Sequence, residues 1–134
     1  MSRTVKTSVA VFILIAAFSL PVFAEVIHCT ECGMMVDLNS KFVAKAVQGD
    51  TTRYFCDIGD LFTYLKKNAS KDAALSVKDY ATGEWIDARK AFYVSSEKKF
   101  KTPMGWGIAA FKDKESASSS GNPMDFDSTA KQVK

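Results

Sequence analysis

Along the 134-residue chain the spacing of hydrophobic and polar positions changes character several times, and each change predicts an element. Residues 1–24 show no period. Arg3 and Lys6 precede an uncharged apolar run over residues 9–20, which ends at Pro21 and Val22-Phe23-Ala24. This is the layout of a secretory leader, with small residues at the −3 and −1 positions. It places the mature N-terminus at Glu25. The apolar segment 8–24 is marginal for a membrane span, which needs roughly 20 residues. Residues 42–47 and 51–56 are β-prone and flank Gln48-Gly49-Asp50, a pattern that predicts a hairpin with a three-residue loop. Asp57 then opens a helix. Ile58, Leu61, Phe62 and Leu65 form one apolar stripe, and Asp57 and Asp60 favour its first turn. Lys66 and Lys67 suit the last turn, and Asn68 stops it.

Beyond a polar linker over residues 69–74, three further runs read as strands: 75–80, 91–94 and 106–111. Thr82-Gly83 and Pro103-Met104-Gly105 punctuate them. Residues 112–120 make a serine-rich, weak helix, broken by Gly121-Asn122-Pro123. Residues 124–126 read as a short strand and 127–134 as a frayed terminal turn. The order is strand-strand-helix followed by strand-strand-strand-helix. That predicts an α+β fold of small antiparallel sheets with packed helices. It is one compact unit over residues 25–134, in two halves of similar order, and not a βαβ array.

Charge narrows the function classes. The chain carries a formal net charge of +3, but Arg3 and Lys6 belong to the leader, so the mature chain is close to neutral. A nucleic-acid partner therefore has no electrostatic basis. No Ser/His/Asp set, Gly-rich phosphate loop or evident carboxylate pair is present, so the chain does not read as an enzyme.

The chemistry lies in three cysteines, an odd number in an exported protein, and in the soft side chains around them. Cys29 and Cys32 form a Cys-x-x-Cys beside His28, Met34 and Met35, and Cys56 and Met104 lie further along. Polarizable sulfur favours Cu(I). On an extended strand Cys32 and Met34, two positions apart, share one face and reach one ion. Met104 sits in a Pro-Met-Gly turn, which holds a side chain at a loop tip. Core packing accounts for Met34 and Met35 equally well. Two rival readings use the same cysteines. One is a thiol-disulfide redox pair at Cys29 and Cys32. The other is a Cys₃His zinc site made from Cys29, Cys32, Cys56 and His28, in which His28 and Cys29 point opposite ways. Cys56 fits a buried small hydrophobe at a strand end slightly better than a ligand. His28 fits either a ligand or a solvated side chain. Tyr80, Trp85, Phe92, Tyr93 and Trp106 read as core or rim.

Several segments in order resemble the NosL family of nitrous oxide reductase accessory proteins. They are Cys29-Thr30-Glu31-Cys32-Gly33-Met34, then Tyr54-Phe55-Cys56-Asp57-Ile58-Gly59-Asp60, then Val77-Lys78-Asp79-Tyr80, then Glu84-Trp85-Ile86-Asp87-Ala88 with Ala91-Phe92-Tyr93-Val94. Thr102-Pro103-Met104-Gly105-Trp106-Gly107 and Ala110-Phe111 complete the series. The resemblance implies an α+β fold related to treble-clef units and an extracytoplasmic Cu(I)-binding metallochaperone. The implied client is a cuproenzyme such as nitrous oxide reductase, and a membrane copper-supply or maturation complex is an implied second partner. Carried over, the metal ligands are Cys32, Met34 and Met104, with Cys29 as the additional cysteine of the Cys-x-x-Cys subgroup. Family members are often lipoproteins. Here Val-Ile-His precedes Cys29 in place of a lipid-attachment box, so the expected product is soluble in the periplasm.

Overall fold

A computed structural model describes residues 21–69 and 71–134. Residues 1–20 of the expected leader lie outside the described residues. The first hairpin joins β1 (Ala44–Gln48) to β2 (Thr51–Phe55). Gln48 pairs with Thr51, so the connection is a two-residue turn and not the three-residue loop expected. Gly49 has φ 57° and, among the described residues, no non-glycine has positive φ, so Asp50 does not, which is the sign pattern of a type II′ turn. Such a turn matches the twist of the strands it joins, and glycine supplies its first position without strain.

Helix α1 (Ile58–Lys67) follows β2 directly. Asp57 caps it, its side chain accepting the Gly59 N–H, and Asn68 closes it by donating its backbone N–H to the Tyr64 carbonyl. The expected stripe faces inward: Ile58, Leu61 and Phe62 are buried and Leu65 packs partly against the same core. Strand β3 (Ala74–Lys78) pairs with the far side of β1, and β4 (Trp85–Asp87) pairs with β3. The result is an antiparallel sheet of order β2-β1-β3-β4. Strand β4 was not expected. It has only three residues, too few for a period to register, and it occupies the sheet edge.

Strands β5 (Phe92–Ser95) and β6 (Ile108–Phe111) form a second, two-stranded sheet. The sixth strand begins two residues later than its hydrophobic run, because Trp106 and Gly107 belong to the preceding loop. Backbone contact between Tyr80 N–H and the Ala110 carbonyl, at 2.7 Å, joins the end of β3 to β6. Alanines on β1 and β6 (Ala44, Ala46 and Ala110) are buried in the same core as α1 and Tyr93, where small side chains allow close approach.

The C-terminal segment corrects two expectations. Met124 makes a single antiparallel bridge to Tyr93 in place of a strand. Helix α2 (Lys114–Ser120) is followed by α3 (Phe126–Gln132), where a frayed turn was expected. Asp125 caps α3 by accepting the Ser128 N–H at 2.7 Å, and Thr129 and Val133 are buried beneath it. The fold is α+β.

Candidate metal centre

Residues 28–35 make a tight turn. The Cys29 N–H donates to the Met34 carbonyl at 2.7 Å, and the Gly33 N–H donates to the Cys29 carbonyl at 2.9 Å. Gly33 has φ 78°, which glycine adopts freely. The extended Cys32-Gly33-Met34 strand expected from the sequence is therefore replaced by a turn, and the shared-face argument for Cys32 and Met34 does not apply. The turn sits beside β2, with the Thr30 N–H on the Tyr54 carbonyl at 2.9 Å. An ion pair between Glu31 and Lys67 fastens it to the far end of α1.

Against this turn lies the junction of β2 and α1, which carries Cys56 and, one helical turn on, Asp60. Cys32 Sγ is 3.3 Å from Cys56 Sγ. The Cys29 thiol faces Asp60 Oδ2 at 3.4 Å, and the Cys56 thiol faces the same oxygen at 3.6 Å. The ligand atoms of Cys29, Cys32, Cys56 and Asp60 all lie within 4.8 Å of one another. Cys29, Cys56 and Asp60 are buried, and Cys32 is half-buried and reachable from solvent. All three cysteines are free thiols.

Burial pushes the Cys56 thiol pKa far up, and the neighbouring Cys32 and Cys29 add to the shift. Burial also raises the Cys32 thiol, against hydrogen bonds from the Met34 backbone and Cys56 that favour its thiolate. Gathering several negative charges here is costly unless a cation arrives with them. Asp57, fully buried at the head of α1, is likewise held above its ordinary value, chiefly by burial. The Thr102 hydroxyl and the N–H groups of Met104 and Gly59 donate to it and pull the other way. The donor set of sulfurs with one carboxylate suits a soft cation that displaces thiol protons.

Of the expected ligands, Cys29 and Cys32 fall in this cluster. Met34 and Met104 keep 47% and 43% of their surface exposed, so core packing does not account for either. The backbone of Met104 reaches the same helix end, its N–H donating to Asp57 Oδ2 at 3.0 Å. His28 is exposed, with Nδ1 at 3.1 Å from the Gly33 carbonyl, and the cluster pairs the three cysteines with Asp60 in its place. Cys56, read from sequence as a buried small residue, is buried within the cluster. Asp60 was missed, as was Trp106, whose indole N–H donates to Asp60 Oδ1 at 3.0 Å. Asp60 was read only as a charge suited to the helix start, although it stands four positions after Cys56 across the helix cap, close enough in the chain for the two side chains to meet.

Together these features define a small α+β protein whose chemistry is concentrated in one thiol-rich cluster at the head of α1. The family model for NosL matches residues 23–129. The chain belongs to the NosL family. Among solved structures, the crystal structure of the copper chaperone NosL from Shewanella denitrificans shares the fold. Its TM-score is 0.64 at 22% identity, over 81% of this chain and 96% of that one. Comparison with curated protein sequences finds no match.

Proposed function

We propose that this protein is an exported metallochaperone that carries Cu(I) in the periplasm. In this reading it passes the ion to a cuproenzyme such as nitrous oxide reductase, after loading from a membrane copper-supply or maturation complex. The observation that carries the reading is the convergence of three thiols and one carboxylate within 4.8 Å, with one thiol open to solvent. Membership of the NosL family and the shared fold with a copper chaperone support it. Cys32 is the central ligand, with Cys29 and Cys56 behind it. Met34 and Met104 add exposed thioethers, which contribute to Cu(I) and almost nothing to Zn(II). A carrier needs a site that a partner's ligands can attack before the ion leaves, and a half-buried thiol flanked by exposed thioethers meets that need. Its role is transport, not catalysis.

The test is an anaerobic Cu(I) titration of the reduced, exported protein against a chromophoric Cu(I) chelator. One tightly held Cu(I) per chain and much weaker Zn(II) binding are expected; no competition with the chelator overturns the reading. Mass spectrometry of the periplasmic fraction, with a chain beginning at Glu25, checks the export. A second reading, thiol-disulfide exchange, gains support from the 3.3 Å contact between Cys32 and Cys56. Met34 and Met104 separate the two, because a redox pair has no use for them.

A further inference from the structure

Asp60 belongs to two parts of the molecule at once. Its Oδ2 receives the Cys29 and Cys56 thiols at 3.4 and 3.6 Å. Its Oδ1 accepts the indole N–H of Trp106 at 3.0 Å. The indole covers the first turn of α1 at Gly59, where a Cβ would stand 2.0 Å from the ring. Glycine at that position is what lets the ring approach. The loop 102–107 is held to the same turn a second time through Asp57, which accepts the Met104 N–H at 3.0 Å and the Thr102 hydroxyl. Thr102 Oγ1 in turn accepts the Gly107 N–H at 3.0 Å. Two adjacent buried carboxylates thus fasten the loop that bears Met104 to the helix end that bears Cys56.

We infer that Trp106 is a positioning residue for the thiol pocket: its indole N–H fixes the Asp60 carboxylate with Oδ2 toward Cys29 and Cys56, and so couples the Met104 loop to the occupancy of the pocket. This rests on the Cu(I) reading of the site. A carboxylate left without a donor on one buried oxygen is free to turn toward another. With the indole N–H in place, its negative charge stays where an arriving cation is held. Groups that orient the surroundings of a metal in this way change affinity by roughly 10- to 100-fold when removed.

The experiment combines Cu(I) competition with proton–nitrogen NMR of the two indole N–H groups, assigned by a Trp85→Phe variant. Trp85 lies on the edge strand β4, with the Lys45 and Lys78 ammonium groups over its ring, and serves as the internal control. Loading with Cu(I) is expected to move the Trp106 indole signal and leave that of Trp85 in place. Trp106→Phe is expected to weaken Cu(I) by about tenfold. Replacing Trp106 with 3-benzothienylalanine, which keeps the bicyclic shape and lacks the N–H, should give the same loss. Parent-like affinity in the benzothienylalanine protein assigns the ring a packing role only and overturns the inference, as does an unmoved Trp106 signal on loading. If the parent takes up no Cu(I), the metal reading fails by itself. The positioning role is then decided on the metal-free protein: Cys56→Ala must shift the Trp106 indole signal through Asp60, and an unshifted signal overturns it.

Discussion

Cys29, Cys56, Asp57 and Asp60 keep 3% or less of their surface exposed, whereas Met34 and Met104 keep 47% and 43%. The buried group is held by short chain connections and by hydrogen bonds among its own members. The exposed pair is tied down through its backbone, the Met34 carbonyl accepting the Cys29 N–H and the Met104 N–H donating to Asp57, while both side chains stay substantially exposed. Fixed donors hold an ion in a defined geometry, and mobile donors let it be exchanged. A storage site needs only the first kind. In the proposed carrier the buried thiols are the fixed donors, a floor, and the exposed thioethers of Met34 and Met104 the exchangeable ones, a rim.

The most severe test of that division is oxidation. The sequence pairs Cys29 with Cys32, but the shortest sulfur contact joins Cys32 to Cys56, while Cys29 faces a carboxylate oxygen. Exposure of the metal-free protein to a low-molecular-weight disulfide should therefore link Cys32 to Cys56, releasing two equivalents of the small thiol. Cu(I) uptake should be abolished, because the floor loses two thiolates at once. Peptide mapping reads the linkage. A Cys29–Cys32 bond would show that the turn reopens before it oxidises.

Single thiols rank next. Cys32→Ser and Cys56→Ser should each lower Cu(I) affinity by on the order of a hundredfold, since a hydroxyl replaces a soft thiolate. Competition titration measures this, and unchanged circular dichroism confirms that the fold persists. If Cys56→Ser binds as the parent does, Cys56 is only packing and the floor shrinks to the Cys-x-x-Cys.

The limits of sequence reasoning follow the same division. The hairpin was legible because two β-prone runs flank a Gly-containing turn, and α1 because a period near 3.6 ran long enough to register. Strand β4 was not, with three residues and no period of its own. Helix α3 was masked by its serine, threonine and glutamine content, although Asp125 before Ser128 marks a cap and Phe126, Thr129 and Val133 mark its inner face. At the site, the Cys-x-x-Cys announced itself by spacing. Asp60 did not, because its role depends on Trp106, which lies 46 positions away. A helix-start aspartate has an adequate local explanation, and only the fold shows that its side chain is turned inward.

The rim should respond more gently than the floor. Met34→Ala and Met104→Ala are each expected to weaken Cu(I) by about tenfold and to speed its transfer to a competing chelator. Thermal stability should hardly change, because both side chains are substantially exposed. If either variant costs more affinity than Cys56→Ser, the ranking of the two regions is inverted, and the thioethers are principal ligands. If both bind Cu(I) as the parent does, the rim plays no part in holding the ion.

The smallest effect is expected at Trp85, and it sharpens the comparison by contrast with Trp106. Both rings are half-buried, but their surroundings differ. Trp106 donates to a buried carboxylate shared with two thiols. Trp85 stands on the edge strand, with Lys45 Nζ at 4.4 Å and Lys78 Nζ at 4.5 Å from its ring centre. Ammonium groups over an indole near the surface contribute about 0.5–1 kcal/mol each. Phenylalanine keeps a ring there and loses part of that attraction, so Trp85→Phe should lower stability by no more than about 1 kcal/mol. It breaks no bond that leads to Asp60, so Cu(I) affinity and transfer rate should match the parent. Chemical denaturation and chelator competition on the same preparation measure the two quantities. A loss of Cu(I) affinity in Trp85→Phe equal to that in Trp106→Phe would mean that any disturbed tryptophan loosens the pocket. The separation between the site and the far sheet edge at β4 would then fail.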